Sequence, residues 1–202
     1  MKICGITDVE TALFAAECGA DAIGLVFAKS KRRVSLEKAK EISQSLPKNV
    51  WRIGVFVNED PDMVRKVAKE AELDFVQLHG DESAEYARSL GVPVIKAFGL
   101  SKETSRSRML EYPARYLLLD SPKEAYYGGN GKTFDWNLVE EKQLKRENLI
   151  IAGGLNPENV QMAIQAIQPF GVDVSSGVET DGRKDRKKIK SFIDKAKGVH
   201  SI

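Results

Sequence analysis

The sequence predicts a closed (β/α)8 barrel, a single domain over residues 1–202, and three observations carry that reading. Eight short apolar runs recur along the chain, amphipathic stretches lie between them, and the polar and glycine-rich motifs fall where the runs end. The strand-like runs are Lys2–Ile6, Ala22–Phe27, Arg52–Val57, Phe75–Leu78, Val94–Phe98, Tyr116–Leu119, Leu149–Ala152 and Val172–Ser175. Most are continuously apolar rather than alternating, as strands covered on both faces must be. Short β-then-α units imply parallel pairing with right-handed crossovers. The competing architecture is an open doubly wound sheet of about five or six strands; eight equal units favour closure.

Each helix has a local signal. Thr7 with Glu10 predicts a capping box before the apolar segment Ala12–Ala16. Ser35 opens a helix over Leu36–Leu46, ended by Pro47. Asp60-Pro61 and Asn156-Pro157 each supply an N-cap followed by a first-turn proline. Gly91 after Ala84–Leu90 fits a helix C-terminus. Weaker helical stretches after Ser101 and Asp135 fill the fifth and sixth positions, and Lys187–Ala196 closes the chain. The longest loop, Ser121–Phe134, follows strand six and carries Tyr126-Tyr127-Gly128-Gly129-Asn130-Gly131, the composition of a lid or ligand-contacting segment.

Composition narrows the function classes. A formal charge of +2 from 31 basic and 29 acidic residues offers no global field for nucleic acid or membranes, which leaves a small-molecule function. The chain starts Met1-Lys2-Ile3-Cys4-Gly5 with no room for a secretory leader, and no apolar run approaches the ~20 residues that span a bilayer, so the expected location is cytoplasmic. Charged outer helix faces point to a monomer. Cys4 and Cys18 would lie at opposite ends of one βα unit, too far apart to bridge, and are expected as free thiols.

In a barrel of this kind, chemistry sits at the carboxyl ends of the strands. Read in order, those ends offer Cys4, the basic run Lys29–Arg33, Asn58, Gln77 and His79, Lys96, Asp120, Gly153-Gly154, and Asp173 with Ser175-Ser176-Gly177. Gly153, Gly154, Ser175, Ser176 and Gly177 are the candidate phosphate-binding residues. Their small loops after strands seven and eight let backbone N–H groups approach an anion, although tight βα turns also need small residues. An acid such as Asp120 on the rim of an apolar strand can serve as a general acid or simply bond loop amides. A cysteine such as Cys4 is a core residue unless a neighbouring cation favours its thiolate. Arg32 could hold a carboxylate bidentately, and His79 could line the site or brace a turn. No metal-ligand spacing, dinucleotide fingerprint, P-loop or hydrolase elbow is present in the sequence.

Taken together, these motifs resemble the phosphoribosylanthranilate isomerase family. The matching stretches are Lys2–Thr7, Gly19–Gly24, Gly54–Asn58, Val76–Gly80, Leu118–Asp120, Gly128–Trp136, Ala152–Val160 and Val172–Glu179, covering essentially the whole chain. The resemblance implies a cofactor-free barrel isomerase of tryptophan biosynthesis that converts N-(5-phosphoribosyl)anthranilate into an anilino-deoxyribulose phosphate by an Amadori rearrangement. Carried over by position, Cys4 matches the general base, Asp120 the general acid, and Arg32 the arginine that holds the anthranilate. His79, Gly129, Asn130 and Asp173 complete the candidate substrate contacts. The family commonly has serine or threonine at Asn130, and the loop before Arg32 is one residue short, which leaves Arg33 as its competitor. Two other readings differ in class. A histidine-pathway aminoaldose isomerase would carry a carboxylate at Cys4, and a non-catalytic phosphate-binding barrel would lack the acid–base pair.

Overall fold

The computed structural model describes residues 1–101, 104–120 and 144–198. Eight parallel strands close into a barrel in sequential order: β1 Lys2–Cys4, β2 Ala22–Val26, β3 Trp51–Phe56, β4 Phe75–Leu78, β5 Val94–Gly99, β6 Tyr116–Asp120, β7 Leu149–Ile151 and β8 Gly171–Val174. The ring is sealed where Lys2 pairs with Asp173 and Ile3 with Val174. Among the described residues the helices are α1 Val9–Glu17, α2 Leu36–Ser45, α3 Pro61–Glu70, α4 Ala84–Ser89, α5 Arg106–Glu111, α6 Val160–Ile167 and α7 Arg186–Gly198. The helix expected after Asp135 lies outside the described residues.

The unbroken apolar runs follow from two separate cores. Outward positions such as Ile3, Ile23, Leu25, Phe56 and Leu78 pack under the helices. Inward positions Ala22, Ile53, Ile95, Ala97, Tyr116, Leu118, Ile150 and Ala152 fill the barrel itself. A fully buried isoleucine or leucine contributes about 1.5–3 kcal/mol, so the two cores carry the fold. At the amino end the filling is aromatic, with Tyr116 stacked on Phe170 at 4.5 Å and Trp51 against Phe75 at 4.8 Å. Toward the carboxyl end the inward positions turn polar, to Cys4, Gln77, Asp120 and Asp173. Among the described residues, that change along the barrel axis gathers polar side chains at the carboxyl end.

Capping follows the expected chemistry at Ser35, whose hydroxyl accepts from Lys38 N, and at Asp60, which accepts from Asp62 and Met63 N. Gly91 adopts the left-handed conformation, φ +68°, just past α4. Two cap predictions are corrected. At α1 the cap is Asp8, not Thr7: its carboxylate accepts from Thr11 N at 2.7 Å, and Glu10 instead pairs with Arg186. A carboxylate beside the first helical residue is the better partner for the positive helix end. At α6, Asn156 caps a preceding turn, accepting from Glu158 and Asn159 N, and the helix begins at Val160. Cys4 and Cys18 are both free. No helix among the described residues is long and apolar enough to cross a membrane.

Candidate active site

One cleft at the carboxyl end of the barrel gathers Cys4, Arg32, His79, Asp120, Gly153, Gly154, Asp173, Ser175, Ser176 and Gly177. Every candidate site residue within the described part of the chain lines it; Gly129 and Asn130 lie outside the described residues. A hollow of about 330 Å³ opens at the opposite end, but its lining is mainly apolar, including Trp51, Ile53, Ile95 and Phe170. The grouped titratable side chains are at the carboxyl end, which makes that cleft the candidate site.

Asp120 ends β6 with its side chain about one-third exposed, and His79 Nε2 stands 3.4 Å from its Oδ2. On the other side of the ring, the Gln77 amide nitrogen lies 3.2 Å from His79 Nδ1. With that amide donating, the ring proton sits on Nε2 and faces the carboxylate. Gln77 is buried, and its Oε1 has no hydrogen-bond partner among the described residues. His79 is therefore part of the cleft rather than a turn brace. Lys96 does not line this cleft but the adjoining hollow that also reaches His79 and Asp120. Strand alternation turns it outward between Ile95 and Ala97, and it meets Glu82 at 2.8 Å and the Gly80 carbonyl at 2.6 Å. Glu82 in turn accepts from the Asn58 and Gly80 amides, so the loops after β3 and β4 are tied to each other and to strand β5.

The two small loops form one wall of the cleft. Gly153 and Gly154 both have positive φ, 78° and 66°, which only glycine adopts without strain. Asn159 braces this turn, its Oδ1 accepting from Asn156 N at 2.8 Å and its Nδ2 donating to Gly154 O at 3.0 Å. Gly177 is pressed against the same loop: a Cβ there would lie 1.9 Å from the Leu155 carbonyl oxygen. The loops after β7 and β8 thus lock together through a contact that no side chain permits.

A hairpin that the β/α reading does not anticipate supplies the remaining charges. Glu179–Thr180 pairs antiparallel with Arg183–Lys184 around Asp181-Gly182, both of positive φ, the conformation a two-residue hairpin turn requires. The Asp-Gly pair was the available signal for it. The register sets Lys184 opposite Glu179, which accepts from Lys184 Nζ at 2.7 Å and from both Arg32 Nε and Nη2, at 2.6 and 2.7 Å. Burial opposes the Glu179 charge, but the hydrogen bonds from Arg32 and Lys184 hold its carboxyl down at about 2. Arg32 is thereby fixed across Gly5, beside Ser175, while Arg33 bridges to Val26 and does not line the cleft. Lys184 also donates to the Ser175 carbonyl at 2.8 Å.

Cys4 is buried on the inward face of β1. Burial raises its thiol pKa above the ordinary value, a rise that Lys2 and Lys184 reduce but do not reverse and to which Asp173 adds. Lys2 donates to Asp173 at 3.0 Å from within the barrel. The sequence reading gave roles to neither Lys2, Lys184 nor Glu179. Lys2 was detectable, since residues two apart on a strand share a face. Among the described residues no group of histidine, cysteine and carboxylate side chains could hold a metal ion.

A family model described as N-(5'-phosphoribosyl)anthranilate (PRA) isomerase matches residues 1–195. The N-(5'-phosphoribosyl)anthranilate isomerase of Bacillus cereus is 55% identical over 199 residues, spanning 98% of this chain and 98% of that protein. The crystal structure of phosphoribosyl anthranilate isomerase from Thermotoga maritima superposes with a TM-score of 0.86 at 51% identity and covers 98% of each chain. A phosphoribosyl anthranilate isomerase structure in complex with reduced 1-(o-carboxyphenylamino)-1-deoxyribulose 5-phosphate gives 0.84 at 48% identity, covering 98% of this chain and 97% of that one. With an eight-stranded barrel, a cleft at its carboxyl end and similarity over nearly its full length, the chain belongs to the N-(5'-phosphoribosyl)anthranilate isomerase family of enzymes.

Proposed function

We propose that this chain converts N-(5'-phosphoribosyl)anthranilate into 1-(2-carboxyphenylamino)-1-deoxyribulose 5-phosphate, a step of tryptophan biosynthesis, by an Amadori rearrangement with Asp120 as general acid and Cys4 as general base. The observation that carries the reading is the convergence of Cys4, Asp120 and Arg32 with the two small loops on one cleft. Asp120 delivers a proton to the furanose ring oxygen, and the C1–O bond breaks to leave an iminium ion at C1. The Cys4 thiolate removes the proton on C2, which the cationic carbon has acidified, giving an enolamine. Loss of the enol proton and protonation at C1 complete the ketone, so substrate and product are isomers. The backbone of Gly153, Gly154, Ser176 and Gly177 receives the phosphate, Arg32 the anthranilate carboxylate. His79 and Asp173 face the substrate between them. Holding both anionic ends keeps C2 within reach of Cys4 after the ring opens.

A positioned proton-transfer group contributes ~10²–10⁴-fold, so Cys4→Ala and Asp120→Asn are each expected to lower kcat by at least ~100-fold. Both variants should still bind the reduced product analogue with near wild-type affinity, which separates lost chemistry from lost structure. Near-normal turnover in either variant removes that residue from the mechanism.

A further inference from the structure

We propose that Lys2 is a positioning residue for the reaction, the buried Lys2–Asp173 pair placing a cation beside the Cys4 thiol and so setting how readily that thiol ionises. The proposal rests on Cys4 acting as the base. β1 sends two side chains into the barrel, Lys2 and Cys4, stacked because residues two apart share a strand face. The register sets Lys2 beside Asp173 of β8 and Cys4 beside Gly24 of β2. Lys2 is 3% exposed and Asp173 7%, with Lys2 Nζ donating to Asp173 Oδ1 at 3.0 Å. A Cβ on Gly24 would lie 2.7 Å from Cys4 Sγ and 3.0 Å from Lys2 Cε, so both side chains lean over the one residue of β2 that leaves them room.

Stability alone gives little reason for such a pair, since well-packed apolar residues of similar volume serve a barrel interior at least as well. What it provides is a charge where charge develops. Burial disfavours the Lys2 ammonium, but Asp173 and the Cys4 thiolate outweigh that cost and raise its pKa, so Lys2 stays charged. Cys4 in turn faces Lys2 from its own strand, Asp173 from β8 and Lys184 from the hairpin. Arg32, across Gly5, has its charge engaged by Glu179. Lys2 favours the thiolate more strongly than Asp173 opposes it. Asp173 therefore has two effects, keeping Lys2 protonated and moderating its pull on the thiol.

The test reads the thiol without any substrate. In a Cys18→Ser background, the pH dependence of iodoacetamide alkylation at Cys4 gives its ionisation midpoint, and thiolate ultraviolet absorbance gives a second reading. A charge within contact range moves a neighbour by about one to three units, so Lys2→Met should raise the midpoint by at least about one unit. Asp173→Asn should lower it. The double variant Lys2→Met/Asp173→Asn should fall above wild type and below Lys2→Met. If Lys2→Met does not fold because Asp173 is left unpaired, the double variant carries the same upward prediction with no stranded charge. In turnover, Lys2→Met should lose kcat about tenfold per unit at neutral pH and regain it as pH rises, with KM little changed. Midpoints that agree within a few tenths of a unit across the folded variants overturn the proposal and leave Cys4 as base untouched. Normal turnover of Cys4→Ala removes the base but leaves the order of midpoints standing.

Discussion

Substituting Glu179 by Gln removes one negative charge from between two cations. The carboxylate accepts hydrogen bonds of 2.6 and 2.7 Å from Arg32 and 2.7 Å from Lys184. Its side chain is 7% exposed and that of Lys184 6%, so neither charge is well screened by water. Held at about 2 against an ordinary value of 4.5, the group contributes roughly 3 kcal/mol at neutral pH, at 1.36 kcal/mol per unit. Because the folded pKa is depressed, that stability is fully present above pH 4.5 and is lost as pH falls through about 2. Urea unfolding of the wild type and Glu179→Gln should differ by about 2–3 kcal/mol at neutral pH, the lower figure allowing for the partial exposure of Arg32. The gap should shrink to under about half near pH 3. For a chain of this length the neutral-pH difference corresponds to a Tm lowered by roughly 5–10 °C. A difference below about 0.5 kcal/mol at neutral pH, the level of an ordinary surface substitution, refutes the reasoning. So does a gap of constant size down to pH 3, which would mean that the loss is steric and not ionic.

Two further substitutions probe parts of the frame. Gly177→Ala would place a Cβ 1.9 Å from the Leu155 carbonyl oxygen; forced separation of the two loops should cost about 1–3 kcal/mol of stability. It should also raise KM for the phosphorylated substrate; unfolding curves and kinetics that match the wild type contradict the locked-loop account. Lys96→Met leaves Glu82 buried and unpaired behind the loops, which should cost about 3–5 kcal/mol and be visible as a lower urea midpoint. Its kcat at a temperature where it stays folded should be close to wild type, since the Lys96 ammonium is engaged by Glu82 and the Gly80 carbonyl; a large loss of kcat there would give Lys96 a part in the chemistry.

Most of the barrel was legible in the sequence because its strands are buried on both faces and read as unbroken apolar runs. The run at Phe75–Leu78 coincides with β4, those for β3 and β8 are shifted by one residue, and the others differ by one or two residues at their carboxyl ends. What the β/α period obscured was finer structure. Thr7 and Glu10 have the spacing of a capping box, yet Asp8 sits closer to the helix start and takes the amide. The Asp181-Gly182 hairpin is a signal of period two inside a pattern being read at the scale of whole βα units, and with it went Glu179 and Lys184. The side on which Lys96 acts was not legible for a simpler reason. A strand-end position does not say which face a residue occupies, and only the alternation with Ile95 and Ala97 settles it. The cleft residues were found because their chemistry departs from their surroundings, as a thiol, acids and paired glycines at the ends of apolar strands. Pairings such as Lys2 with Asp173, 171 positions apart, depend on closure of the ring and are invisible until β1 meets β8.

The most direct test of the central claim, that this cleft isomerises phosphoribosylanthranilate by acid–base chemistry, is a turnover measurement. Phosphoribosylanthranilate is generated in situ, the purified protein is added with no metal or cofactor, and the anthranilate-type fluorescence is followed. Rapid loss of fluorescence with the wild type, and almost none with folded Cys4→Ala, is the predicted result. Persistent fluorescence with folded wild-type protein and substrate present would contradict it and turn attention to another aminoaldose substrate or to a binding role without catalysis.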